Sequence, residues 1–443
     1  MISSSSRARA SGSVGSDLAV IPFVLAAVAV LGLGGGYLIS VGSMRTVAAA
    51  MVFIIGAIAA TALSVRTLAT GLLLLTALTA GMNTLRLDGA FTVMDAFIFG
   101  AAILLLPSLP TRRSIDVNSM FLAAGSLLVV GALLGAMSSS EYAANLGPLV
   151  KLVVAVFLMY AVFLAWAPTA RESWLFVGTY VGSACLSSLW GIFHLNPYTD
   201  RAAGLTVHPN HLALISVLAL GPAIAVAFAA SGRISALGAV ASIVLLAGII
   251  ATGSRAGLVG AVVVILLAIV LAARDRVSRL VLLGVLGFVI FIPLFVVVSP
   301  TQNAVARLTS NSESARASDI GRRQLISQAI KLAEDHPLTG AGLEAAKEPH
   351  DIFLGLLSGG GPIALLGALM LVAVPFRSLA KLGRRQAPRD LYVLIAGLSF
   401  GALGFFAACL FQNTIWDRYI WLPVALLTVV AARLDSVGRM VTA

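Results

Sequence analysis

Charge is scarce in this 443-residue chain: 11% of its residues are Asp, Glu, Lys or Arg, against 59% hydrophobic. A water-soluble domain of this size could not cover its surface with so little charge, so a soluble fold is excluded. Cysteine is nearly absent too. Cys185 and Cys409 both lie inside apolar runs, which excludes a disulfide framework and a cysteine-ligated metal site. Alternation of polar and apolar residues is missing, and with it the barrel; helices remain as the backbone that satisfies its own hydrogen bonds in lipid. What is there is a mean hydropathy of +1.02 and apolar runs recurring almost from end to end. The chain reads as an all-α polytopic integral membrane protein whose solvent is the lipid bilayer.

About 20 apolar residues span a bilayer. On that measure fourteen helical membrane segments are expected, near 18–39, 46–65, 67–82, 90–107, 120–138, 147–166, 173–193, 209–230, 234–251, 257–273, 279–299, 352–376, 391–411 and 419–432. Residues 1–17 form a Ser-rich arm with Arg7 and Arg9; no small-residue cleavage site closes the run that follows, so the arm reads as disordered and cytoplasmic, not as a signal peptide. Helices 1 to 11 occupy 18–299, an extracytoplasmic loop with short helices 300–351, helices 12 to 14 residues 352–432, and a cytoplasmic tail 433–443. Within the loop, Ile320, Leu325, Ile326, Ala329, Ile330 and Ala333 recur at helical spacing. Loops this long in a compact fold are usually functional.

The net charge of +11 follows topology. With a cytoplasmic N-terminus, most Arg and Lys in short loops fall inside, including Arg112, Arg113 and the cluster over 377–389, as the positive-inside rule requires. The excess is explained without a nucleic acid partner. All five histidines, His194, His208, His211, His336 and His350, fall at or beyond the outer helix ends, so the polar chemistry gathers on the outer face.

Three segments there join a polar loop to a helix start: Asp200-Arg201-Ala202-Ala203-Gly204-Leu205-Thr206-Val207-His208-Pro209-Asn210-His211; Thr252-Gly253-Ser254-Arg255-Ala256-Gly257; and His336-Pro337-Leu338-Thr339-Gly340-Ala341-Gly342, followed by Pro349-His350-Asp351. An arginine at such a boundary makes bidentate bonds to phosphate oxygens, and the helix N-terminus adds N–H groups aimed the same way. Simpler readings stand beside these. Arg45, Arg86 and Arg418 suit interfacial anchors. His208 or Asn210 suits a helix cap with Pro209 in the first turn, and His350 an interfacial histidine. Asp95 and Lys151, inside expected helices but near their ends, suit structural roles. Ser358-Gly359-Gly360-Gly361-Pro362 breaks its helix or packs closely on a neighbour.

In pattern and order these segments resemble the O-antigen ligase and Wzy-type polymerase family of bacterial membrane glycosyltransferases. The elements that match are Arg201-x-x-Gly204 leading to Pro209-Asn210-x-x-Ala213; Ser254-Arg255-x-Gly257; Arg323 upstream of His336-Pro337-Leu338-x-Gly340-x-Gly342; and His350-x-x-Phe353-Leu354. The match covers roughly 190–376, with hydropathy alone elsewhere. Two departures stand out: the family commonly has Asn where this chain has Asp351, and an acid near Ser358 and Gly359.

The resemblance implies a GT-C-like fold and metal-independent, inverting transfer of a glycan from a polyprenyl diphosphate carrier to a glycan or lipid acceptor hydroxyl. It implies that the transfer takes place on the outer face of the bacterial plasma membrane, with no cofactor and no bound metal. It implies catalytic roles for Arg201, Arg255 and His350, and substrate binding by Arg323, Asn210, His208, Ser254 and Asp351. The chemistry suits them: the diphosphate gains negative charge as it leaves, which two arginines stabilise, and an imidazole can take the acceptor's proton. Ligase and polymerase share this donor chemistry and stay open as alternatives, as does a peptidoglycan-type polymerase. A transporter or flippase of lipid-linked sugars or small anions is the reading from another class, although no inverted repeat or midplane polar site supports it.

Overall fold

The computed structural model describes residues 64–88, 91–110, 117–196, 201–272, 313–344, 349–384, 388–412 and 415–442. The helices expected at 18–39 and 279–299, nearly all of 46–65, and the loop start at 300–312 lie outside them. Two compact units divide the chain, residues 1–68 and 69–443. In the first, the described residues open α1 (Val65–Thr79), with Ser64 Oγ accepting from Thr67 N at 3.2 Å.

In the second unit α1 leads to a hairpin, β1 (Arg86–Asp88) and β2 (Phe91–Thr92), antiparallel with Arg86 opposite Thr92. Strands this short carry no alternation to read, and none was expected. Then come α2 (Val93–Leu105), α3 (Ser119–Ser138), α4 (Tyr142–Trp166, with a π-helical turn at Val154–Leu158), α5 (Ala170–Phe193), α6 (Pro209–Ala229), α7 (Gly232–Ala251) and α8 (Arg255–Ala272). After these follow α9 (Glu313–Asp335), α10 (Ile352–Arg384), α11 (Arg389–Ala408) and α12 (Arg418–Thr442). Among the described residues seven helices are long and apolar enough to cross a membrane, and three more are apolar but shorter. Fourteen full spans were expected. The short ones explain part of the difference: at about 1.5 Å per residue, the 15 residues of α1 fall short of a hydrocarbon core about 30 Å thick.

Helix starts follow local chemistry. Thr92 and Asp95 form a capping box on α2, Thr169 and Glu172 another on α5, and Asn118 caps α3. Glycine sets the packing. Gly221 of α6 meets the backbone of Gly397 and Gly401 on α11, Gly260 of α8 meets Gly404 of α11, and Gly131 and Gly135 of α3 meet Gly359 and Gly360 of α10. Small residues let backbones close up where lipid supplies no hydrophobic drive between helices. α6 and α11 are buried along most of their length and form the centre. The peripheral helices bury one face and leave Leu186, Leu189, Leu237, Val240, Leu366 and Leu369 outward, as a lipid-facing surface requires.

Candidate functional site

Arg201 follows α5 and is almost fully buried, 6% exposed. Its Nε donates to the carbonyl of Thr252 at 2.6 Å, and its Nη2 to Asn210 Oδ1 at 2.9 Å. The backbone is stitched in as well, since Ala202 N donates to Ala251 O at 3.0 Å. Asn210, in the first turn of α6, passes the link on through Nδ2 to Gln412 Oε1 at 2.8 Å. Gln412 closes the turn after α11, and Cys409 O in that turn accepts from Ile352 N at 2.9 Å, two residues past His350. One network thus joins the loop before α6, the α7–α8 turn, the α11–α12 turn and the start of α10 at a single end of the bundle.

Each corner has its own local cause. Gly253 has φ of 59°, a left-handed turn that suits glycine. It brings Ser254 to cap α8, with Ser254 Oγ accepting from Gly257 N at 3.3 Å. Arg255 then begins α8, three residues past the carbonyl that anchors Arg201. At the other corner Asp351 caps α10, its Oδ1 accepting from Phe353 N at 2.8 Å and Leu354 N at 3.1 Å. His350, partly buried, holds φ of 52°, one of two described non-glycine residues with positive φ. Such outliers cost about 1–3 kcal/mol and cluster at functional sites.

Other expected site residues have different placements. His208 is exposed and caps α6, its Nδ1 accepting from Asn210 N at 3.1 Å. Arg323 lies on the exposed face of α9, and no described contact joins it to the network. His336 follows α9 directly, and the glycine segment after it is an anchor: Ala341 N donates to Ser358 O at 2.8 Å and Gly342 N to Gly359 O at 3.0 Å. Those acceptors lie at the break in α10, where Gly361 takes φ of 68°. The expectation that Ser358–Pro362 breaks its helix and packs closely thus holds in both parts. Glu344 N continues the anchor to the buried Asn145 Oδ1 at 2.7 Å.

Sequence reading missed Gln412, Asn145 and a second cluster around His211. There Asp417 Oδ2 lies 3.5 Å from His211 Nε2 and accepts from Tyr419 OH at 3.1 Å. Burial lifts the Asp417 carboxyl above its ordinary range, against the pull of His211, Tyr419, Arg418 and Lys151. Arg418, read as an interfacial anchor, instead pairs with the fully buried Asp95, Nε to Oδ1 at 2.5 Å and Nη2 to Oδ2 at 2.7 Å. A buried carboxylate needs such a partner. The only signal was the polar residues Gln412, Asn413, Thr414, Asp417 and Arg418 between two apolar stretches.

Fold and site together define a polytopic helical membrane protein with an arginine- and histidine-bearing site at one end of its bundle. Residues 240–369 match the family model described as O-antigen ligase, so the resemblance drawn from the motifs is shown and supports a glycosyltransferase family of ligase and polymerase type. No curated protein matches the chain. The matched region contains Arg255, Arg323, His336 and His350. Arg201 and Asn210 precede it and join it through Thr252.

Proposed function

We propose that the chain transfers a glycan from a polyprenyl diphosphate carrier to an acceptor hydroxyl on the outer face of the plasma membrane, with inversion and without a metal ion. The observation that carries this reading is the fixing of Arg201 to the carbonyl of Thr252, in the turn that ends at Arg255. That bond ties the Arg201 loop to the turn before Arg255, and the Asn210–Gln412 and Ile352–Cys409 bonds bring in the corner that carries His350. In the reaction the anomeric C–O bond to the diphosphate breaks, and its electron pair leaves with a phosphate oxygen. Arg201 and Arg255 stabilise that charge. The acceptor oxygen forms the new bond from the opposite face, and its proton passes to the imidazole of His350. Asn210, Ser254 and Asp351 shape the site by holding Arg201, α8 and α10 in place; His208 and Arg323 are proposed contacts to the bound substrate.

The fit extends to the surroundings. The apolar outer faces of the helices suit a polyprenyl tail lying in the bilayer, which would bring its diphosphate to the helix ends in register. A glycan acceptor makes the protein a polymerase and a lipid acceptor a ligase, with the same donor chemistry. The test is transfer from a lipid-diphosphate-linked glycan to added acceptor by the purified protein in liposomes. Transfer by wild type but not by Arg201→Ala or Arg255→Ala protein of equal folding is expected. Movement of the intact lipid-linked donor across the bilayer, without transfer, would instead favour a flippase.

A further inference from the structure

His211 stands in the first turn of α6, beside Asn210, and the reaction above makes no use of it. Both ring nitrogens face polar groups: Nδ1 is 3.4 Å from Asn83 Nδ2, and Nε2 is 3.5 Å from Asp417 Oδ2. The proton's place follows from a donor that cannot be reassigned. The backbone N–H of Val207 donates to Asn83 Oδ1 at 2.8 Å, so that atom is the amide oxygen. The Asn83 atom facing His211 is then the NH2 group, a donor only. His211 Nδ1 must accept from it, which leaves the ring proton on Nε2, directed at Asp417.

We propose that His211 is a positioning residue: as the neutral imidazole it holds the Asn83 amide in the orientation that ties down Val207, in the loop carrying Arg201 and His208, and protonation releases that tie. A proton on Nδ1 would set N–H against N–H across 3.4 Å. Turning the Asn83 amide relieves the opposition but takes its oxygen away from Val207. The neighbouring groups frame the balance. The charged groups about His211 are Asp417, which faces Nε2, and, acting on Asp417, Lys151 of α4 and Arg418 of α12, the latter already paired with Asp95. The His208 ring lies 5.9 Å and the Tyr419 ring 5.8 Å from the His211 ring, centroid to centroid.

The proposal rests on the glycan-transfer reading only for the importance of the loop, so its test does not use transfer. Hydrogen–deuterium exchange at the Val207 amide is followed in the full-length protein in nanodiscs at about pH 8 and about pH 5, corrected for the intrinsic chemical rate. Wild type should lose about tenfold of its protection on acidification. Asn83→Asp should keep it at both pH values, because a carboxylate accepts from Val207 N–H and from an Nδ1–H alike. His211→Asn should also keep it, since its amide oxygen can accept from Asn83 and does not titrate. Wild-type protection that ignores pH, or an equal loss in all three proteins, would overturn the proposal. Glycan transfer assayed on the same samples separates the two readings: the expected exchange pattern without any transfer by wild type sinks the enzymatic reading and leaves the lock standing.

Discussion

His350 sets a condition on its own replacement, because a backbone φ of 52° is disfavoured for most L residues by about 1–2 kcal/mol. Alanine there would mix strain with loss of the imidazole. Asn tolerates the left-handed region, so His350→Asn is the cleaner probe: thermal stability near wild type, a marked loss of transfer, and loss of the acid limb that a histidine base gives the pH–rate profile. An unchanged acid limb in His350→Asn would take His350 out of the mechanism. Arg255→Lys should still insert and fold but lose roughly 100-fold to 1000-fold in turnover, about 2.7–4 kcal/mol, since an ammonium cannot match two phosphate oxygens at once; near-normal turnover would make Arg255 an anchor. Arg201 and Arg255 were legible in the sequence because cations are conspicuous in so apolar a chain. Gln412 was not, as a neutral amide in a loop resembles any connector, and Arg418 was misread because its partner Asp95 is 323 positions away. Asp351 explains one departure from the family: Asn and Asp both accept from the free N–H groups of a helix start, so the cap survives the exchange.

Helices were legible wherever the residues are described, because an apolar run needs no partner to declare itself. Their ends were less so: α4 starts five residues before its expected position at 147, and α10 runs eight past its expected end at 376. Amphipathic or charged turns extend these helices beyond the apolar window that marks a span. The break in α10 was visible as a glycine run before Pro362, but its partner, the Gly340–Gly342 segment, was read as a motif of the chemistry and proves to be an anchor. That anchor sets a prediction at the scale of elements. A methyl group at Gly135 would collide with the carbonyl of Gly359 and crowd that of Thr339, so Gly135→Ala should destabilise the protein by about 1–3 kcal/mol. Gly178→Ala, with nothing within 4 Å of the added carbon, is the control. Equal unfolding midpoints for the two variants would mean that the α3–α10 contact is not tight.

For the molecule as a whole, the network gathers helix ends that the charge pattern had assigned to one side, while Arg377, Lys381, Arg384 and Arg389 of the basic cluster lie at the opposite ends of α10 and α11. Which side faces outward is a matter for labelling. In a background lacking Cys185 and Cys409, a cysteine at the exposed Ser327 on α9 should react from outside, and one at the exposed Asp390 only after permeabilisation. The reverse would move the site to the cytoplasm. Transfer should also persist in EDTA, because the arginines supply the positive charge a divalent ion would otherwise bring; a strict need for added Mg or Mn would reassign them. The bond from Asn210 to Gln412 spans 202 residues, and this carries a consequence for biosynthesis. Helices enter the membrane in the order in which the ribosome delivers them, so α6 arrives with Asn210 long before its acceptor exists. The Asn210–Gln412 bond therefore waits through nearly half of translation and forms only when the α11–α12 turn emerges, so a chain stopped between residues 255 and 412 holds both arginines, with Arg201 already on Thr252, but lacks the amide pair that closes the site.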